Sequence, residues 1–169
     1  MVFGTVPGAV DQDGTLTVAF VPEAGLANPA SPTATELNAV TVIDLTYSLT
    51  TTGYNRTISQ ATDTDERLTL ADVLETPGRV TESLEMQYVH GAADDIADPV
   101  IQEGVKGFIV ERRAVAIGAF VAAEDVDVIP VTFGVPRKDN PTANGKWTKT
   151  VKAFVSGQVQ RDVPVAAGV

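Results

Sequence analysis

The sequence predicts a mainly-β domain, a sandwich or barrel-like fold with one or two short flanking α-helices. Three observations predict it. Apolar residues recur at every second position in several segments, helical periodicity is confined to short stretches, and turn-forming residues punctuate the chain throughout. A chain of 169 residues suits one domain, 1–169, and is long enough to bury a core.

Residues 1–15 are read as an N-terminal arm, and Met1 to Pro7 carry no basic region followed by an apolar stretch, so no secretory signal is expected there. Leu16-Thr17-Val18-Ala19-Phe20 reads as the first strand. Ser31-Pro32-Thr33-Ala34-Thr35-Glu36-Leu37-Asn38 has the form of a short helix, with Ser31 as cap, Pro32 in the first turn and Glu36 at the positive end of the dipole. In residues 43–50, Ile43, Leu45, Tyr47 and Leu49 alternate with Asp44, Thr46, Ser48 and Thr50, the pattern of a half-buried strand.

Residues 50–66 are rich in Thr and Asp and are expected to be a long loop, as are 22–32 and 137–145. Residues 68–74 suggest one or two helical turns stopped by Pro77-Gly78. Ser83 to Tyr88 alternate again, and 94–105 read as turns or a short helix. Strands follow over 107–113 and 126–135, where Pro130 predicts an edge position or a bulge.

The last strand is expected to run from Trp147 to about Val163, well above the usual length. One face carries Trp147, Val151, Ala153, Val155 and Val159. The other carries Thr148, Thr150, Lys152, Ser156, Gln158 and Gln160, with Phe154 its one large apolar member. Residues 164–169 are read as a C-terminal arm.

Charge and composition narrow the function. The net charge is −10, with 15 acidic against 3 basic residues in 1–100 and 7 against 9 in 101–169. Such a chain repels phosphate backbones, so tight nucleic-acid binding is disfavoured. Apolar runs are far shorter than a bilayer-spanning helix, and no membrane partner is expected. Cysteine is absent, which removes disulfides, thiolate metal sites and cysteine nucleophiles.

No catalytic residue, cofactor site or metal site is assigned. The single histidine, His90, stands before Gly91 with Asp94 and Asp95 nearby, and reads as a polar strand end rather than a general base. Ser156 lacks the glycine that a nucleophile elbow needs two residues before it. Asp11-Gln12-Asp13-Gly14 lacks the remaining ligands of a calcium loop, and Gly104-Val105-Lys106-Gly107 lacks Walker spacing. The basic residues Arg112, Arg113, Arg137 and Lys138 are expected to pair with the acidic half, within a chain or across a subunit interface, and Arg112, Arg113, Arg137 and Lys138 are assigned to inter-subunit pairing.

Three segments together resemble a known family. Val126-Asp127-Val128-Ile129-Pro130-Val131-Thr132-Phe133-Gly134 is followed by a Pro/Asn/Gly/Lys loop and then by 147–166. Pro32 to Asn38 precede an alternating strand, and the segment from Lys106 closes on Arg112-Arg113. This order is similar to the major tail proteins, or tail tube proteins, of long-tailed non-contractile bacteriophages, in particular those infecting actinobacteria. The resemblance covers about half the chain and rests on order and texture.

It implies a virion structural protein, made in the host cytoplasm, that forms stacked hexameric rings. Those rings would line a tube that delivers genomic DNA without binding it tightly. It also implies a tape measure protein, a tail terminator and distal tail proteins as partners. The polar face of 147–163 is then expected to line the lumen or an inter-subunit sheet. The alternative is a β-sandwich binding module such as a phage decoration protein or adhesin. An enzyme is the third reading, limited to carboxylate chemistry.

Overall fold

The computed structural model describes residues 8–65 and 72–168. In chain order these residues form β1 (Leu16–Pro22), α1 (Ala34–Leu37), β2 (Ile43–Asp44), β3 (Leu49–Asp65), β4 (Leu74–Val89), β5 (Lys106–Arg113), β6 (Asp125–Phe133), β7 (Arg137–Lys138), β8 (Thr148–Val155) and β9 (Gln160–Pro164). All strand pairs are antiparallel and belong to one sheet, in the order β2-β1-β5-β6-β8-β4-β3, with β7 paired to β8 and β9 to β6. The mainly-β expectation holds.

The sheet curls, because one set of alternate residues from strands far apart in it shares a core. Val18 and Phe20 of β1 meet Leu84, Met86 and Tyr88 of β4, Ile109 of β5, Ile129, Val131 and Phe133 of β6, and Val151 and Ala153 of β8. The opposite residues of β1, β5 and β6 (Ala19, Val21, Val110, Val126 and Val128) form a second core with Leu26, Leu37 of α1, Phe120 and Val165. Burial on both faces explains why Val18 to Val21 are all apolar in sequence. The helix is held by a capping box in which Thr33 and Glu36 satisfy each other's backbone N–H groups, so Thr33 rather than Ser31 is the cap.

Several expected elements are rearranged. Residues 43–50 are not one strand. After β2 the Thr46 N–H bonds to the Asp44 carboxylate, and the Ser48 and Leu49 N–H groups both bond to the Leu45 carbonyl. That turn leaves Tyr47 80% exposed. The expected loop over 50–66 is instead β3, as far as Asp65; Glu66 lies outside the described residues. Its Thr-rich composition suits an exposed β-strand as well as a loop, which is why polarity misled. The helix expected over 68–74 falls largely outside the described residues, Leu74 opens β4, and Pro77 sits inside β4 at a register shift.

The 147–163 strand is broken into β8 and β9. β8 pairs with the C-terminal half of β6 and β9 with its N-terminal half, and the chain switches between them through Ser156-Gly157. Pro130 lies at this changeover, where its carbonyl accepts from the Ser156 N–H at 2.9 Å. So the proline sits in an interior strand, at the point where that strand exchanges one neighbour for another. Residues 164–166 are bound into their own domain rather than forming an arm: Val165 is buried, its N–H bonds to the Glu124 carbonyl, and the Ala166 N–H bonds to Pro32. No helix among the described residues is long and apolar enough to cross a membrane.

Candidate functional site

The most distinctive surface is the outer half of the β3–β4 hairpin. Register runs from Tyr54↔Met86 through Ile58↔Glu82 to Asp65↔Leu74, with an irregularity between Gln60 and Thr62. β4 pairs with β8 only over 84–89, and β3 pairs with β4 alone. Among the described residues, 57–65 and 74–82 therefore carry no strand partner but each other. At 3.3 Å per residue this is an arm about 30 Å long.

The side chains agree with that description. Along β3 and β4 the inward-facing set reads Tyr54, Arg56, Ile58 and Met86, Leu84, Glu82, Val80. On the body these residues are buried or half-buried, but beyond it Ile58 is 53% and Val80 44% exposed. The apolar stripe of the core thus runs off the domain onto the arm. The other set (Thr57, Ser59, Thr81, Ser83) is hydroxyl-rich, and Asp63, Asp65 and Glu75 lie near the tip.

Where the arm meets the body stands a cluster of three arginines and three carboxylates. Arg56 donates through Nε to Glu82 at 2.5 Å, through Nη1 to Glu111 at 2.9 Å, and to Asp127. The second oxygen of Glu82 takes Arg161 at 2.5 Å, Glu111 also pairs with Arg113, and the Tyr54 hydroxyl donates to Glu111 at 2.9 Å. Glu111 and Asp127 follow the parity of Ile109 and Ile129, so the charges close one end of the inner core. Burial first, and the Glu111 carboxylate next, push the Tyr54 hydroxyl well above the usual phenol range. Beside the cluster is a cleft of about 550 Å³ lined by Ile58, Arg113, Asp125, Val126 and Asp162 among others.

The other end of that core is closed by Tyr88, Asp98 and Lys149. Asp98 accepts from Lys149 and, at 3.1 Å, from the Tyr88 hydroxyl. The Lys149 ammonium is the main cause holding the Asp98 carboxyl below the usual carboxylate range; burial opposes it and the Tyr88 hydroxyl reinforces it.

The residues assigned to a lumen or inter-subunit sheet do not share one strand face. Thr148, Thr150 and Lys152 do share the outer face of β8, next to Glu85 and Gln87 of β4. Thr148 and Thr150 donate to Asp139 at 2.7 and 2.9 Å, and Gln87 joins them at 2.9 Å. Burial raises the Asp139 pKa, but these three donors outweigh it and hold the carboxyl below its ordinary range. Ser156 and Gln158 are exposed in the turn between strands, and Gln160 is half-buried at the start of β9.

Of the four cations assigned to subunit pairing, Arg112 is engaged inside its own chain. It is 1% exposed, bonds Glu124 at 2.7 Å, Thr17, and the carbonyls of Ala116, Gly118 and Ala119, and its guanidinium lies 4.8 Å from the Phe120 ring centroid. A fully buried, multiply bonded guanidinium is not open to a neighbour, which corrects the expectation for Arg112. Arg113 is two-thirds exposed, and Arg137 and Lys138 of β7 are exposed. His90 directly follows β4, with its N–H on the Trp147 carbonyl at 3.0 Å.

Sequence reasoning missed the Arg56 cluster. A signal for it exists: Glu82 and Glu111 fall on the apolar parity of their strands, and Arg56 is one of only 3 basic residues in the first 100.

Comparison with known proteins places the chain in a family. The family model described as "Phage tail tube protein" matches residues 4–168. No curated protein matches the chain in sequence. Among solved structures, a chain in the cryo-EM structure of the anti-feeding prophage baseplate, 6-fold symmetrised, is similar with a TM-score of 0.54 at 10% identity, over 93% of this chain and 96% of that chain. At that identity the likeness is one of fold. The family match spans nearly the whole chain, and so the chain belongs to the phage tail tube protein family and is a structural component of the phage tail.

Proposed function

We propose that the chain assembles with copies of itself into stacked rings of six, forming a non-contractile tail tube through which the genome passes to an actinobacterial host. The observation that carries this reading is the projecting hairpin arm. A long strand at a sheet edge leaves a row of unpaired N–H and C=O groups, and natural proteins cover such edges. Here the edge is β3, 17 residues long, and its inner face exposes Ile58 and Val80 beyond the body. A second copy supplies the cover. Because the arm and the surface that receives it are different parts of the chain, the contact is head-to-tail, the kind that closes rings or builds filaments.

The hydroxyl- and amide-rich outer face of β8 and β4, with Thr148, Thr150, Lys152 and Gln87, supports a polar lumen wall, with Ser156, Gln158 and Gln160 near it. Lys152 and Arg137 on that face are offset by Glu85 and Asp139, so it offers phosphate little net positive charge and DNA slides past. Arg113, Arg137 and Lys138 pair with the acidic arm of a neighbour and set orientation more than strength. A tape measure protein occupies the growing lumen, and terminator and distal tail proteins close the ends. The role is architectural, with no catalysis and no cofactor.

Replacing residues 60–80 by an Asn-Gly turn, which keeps Ser59 opposite Thr81, tests the reading. The shortened protein keeps its β-sheet circular dichroism but sediments as a monomer at concentrations where the parent forms rings or tubes. Tubes formed by the shortened protein would remove the arm from the account.

A further inference from the structure

Among the described residues, the arm has no backbone bonds to β5, β6 or β9, the strands its root faces. What joins the arm root to them is a set of side chains. Arg56 belongs to β3 and Glu82 to β4, while Glu111 and Arg113 come from β5, Asp127 from β6 and Arg161 from β9. One guanidinium therefore touches three carboxylates on three strands, and is itself only 6% exposed.

Such an arrangement is poorly explained as a source of stability. Desolvating ions offsets most of their attraction, and apolar residues of similar volume serve as well or better. Arg56 Nη2 even lacks an acceptor among the described residues, a cost that a purely stabilising design would avoid. Direction is what the cluster adds. Apolar contact is non-directional, whereas a planar guanidinium fork bonds only at fixed angles.

We propose that Arg56 is a positioning residue for assembly: by clamping Glu82 of the arm to Glu111 and Asp127 of the body, it fixes the angle at which the hairpin leaves the domain. This rests on the arm being the assembly element. A free subunit then already holds its arm in the orientation that a neighbour receives, and assembly does not have to order it.

The chain has no cysteine, so spin labels on Thr64→Cys at the arm and Glu103→Cys on the body are unique. Electron–electron distance measurements on dilute, unassembled full-length protein give a single narrow distribution for the parent. Arg79→Met, an arm cation outside the cluster, leaves it narrow. In Arg56→Met the distribution broadens and loses its single peak, while the near-ultraviolet circular dichroism of the body is retained and tubes are lost. A narrow distribution in Arg56→Met overturns the proposal, as does normal tube formation despite a broadened one.

If Arg56→Met does not fold, the pair Glu111→Gln and Asp127→Asn removes the body side of the clamp and is read the same way. A parent that never forms tubes but whose arm broadens on Arg56→Met would sink the tube reading and leave the clamp standing.

Discussion

Thr33 and Glu36 make the smallest self-contained unit of this fold. Glu36 accepts from the Ala27 and Thr33 N–H groups, both at 2.9 Å, and these two backbone bonds are the leading causes that hold its carboxyl below the ordinary range. A helix of four residues has little stability of its own, so this cap and Leu37 in the second core do most to hold it. Thr33→Ala should cost about 1 kcal/mol in urea unfolding, in the usual range for a lost cap. At the other end of the inner core, Asp98 gives a pH prediction. Its folded pKa is depressed, chiefly by Lys149, so its contribution is complete above the ordinary carboxylate pKa of about 4 and lost as pH falls through the depressed folded value. Asp98→Asn should lower stability at pH 7 and flatten the fall in unfolding free energy on acidification. An unchanged slope in parent and variant would show that Asp98 does not carry that term.

At the scale of elements, pairing constrains side-chain size most tightly between β1 and β5. Gly107 stands opposite Pro22, and an added Cβ would lie 2.4 Å from the Val21 carbonyl oxygen and 2.6 Å from the Phe20 ring. Gly107→Ala should therefore destabilise by about 1–3 kcal/mol, read from the denaturant midpoint at constant m-value. Nothing in the local sequence announces this, because the clash is with Val21, 86 positions earlier in the chain (107 − 21), a separation that only tertiary pairing closes. The strands around Leu16, Ser83, Gly107 and Val126 were legible from alternation or apolar runs, since one or both of their faces are core. Segment 43–50 alternates equally well and yet turns, because the Asp44 carboxylate and Leu45 carbonyl satisfy the following N–H groups locally. The 147–163 stretch alternates across its break, so the pattern hid a change of partner at Pro130. The arm was illegible for the opposite reason: its apolar stripe thins to Ile58 and Val80, too sparse to show alternation, and its Thr and Asp residues read as loop.

Across the whole molecule, the sequence conveyed the mainly-β class and the family, while the projecting hairpin emerged only in three dimensions. The polar outer face of β8 was partly legible, in Thr148, Thr150 and Lys152, because strand periodicity places them together. Arg112 was misread since a sequence shows charge and not depth, and this guanidinium is buried among carbonyls of its own chain. What the molecule lacks as a lone subunit is cover for β3 and for the Ile58–Val80 stripe, and a second copy is the account's answer. Charge pairing across that contact should be salt-sensitive, since exposed pairs are screened within about 10 Å at 0.1 M salt. Raising the salt should raise the concentration needed for assembly without changing the unfolding midpoint of the subunit. The most direct measurement of the central claim is negative-stain electron microscopy of the purified protein, concentrated at neutral pH. Stacked rings or tubes with a central channel are expected; a dispersed population of single subunits at every concentration would contradict self-assembly.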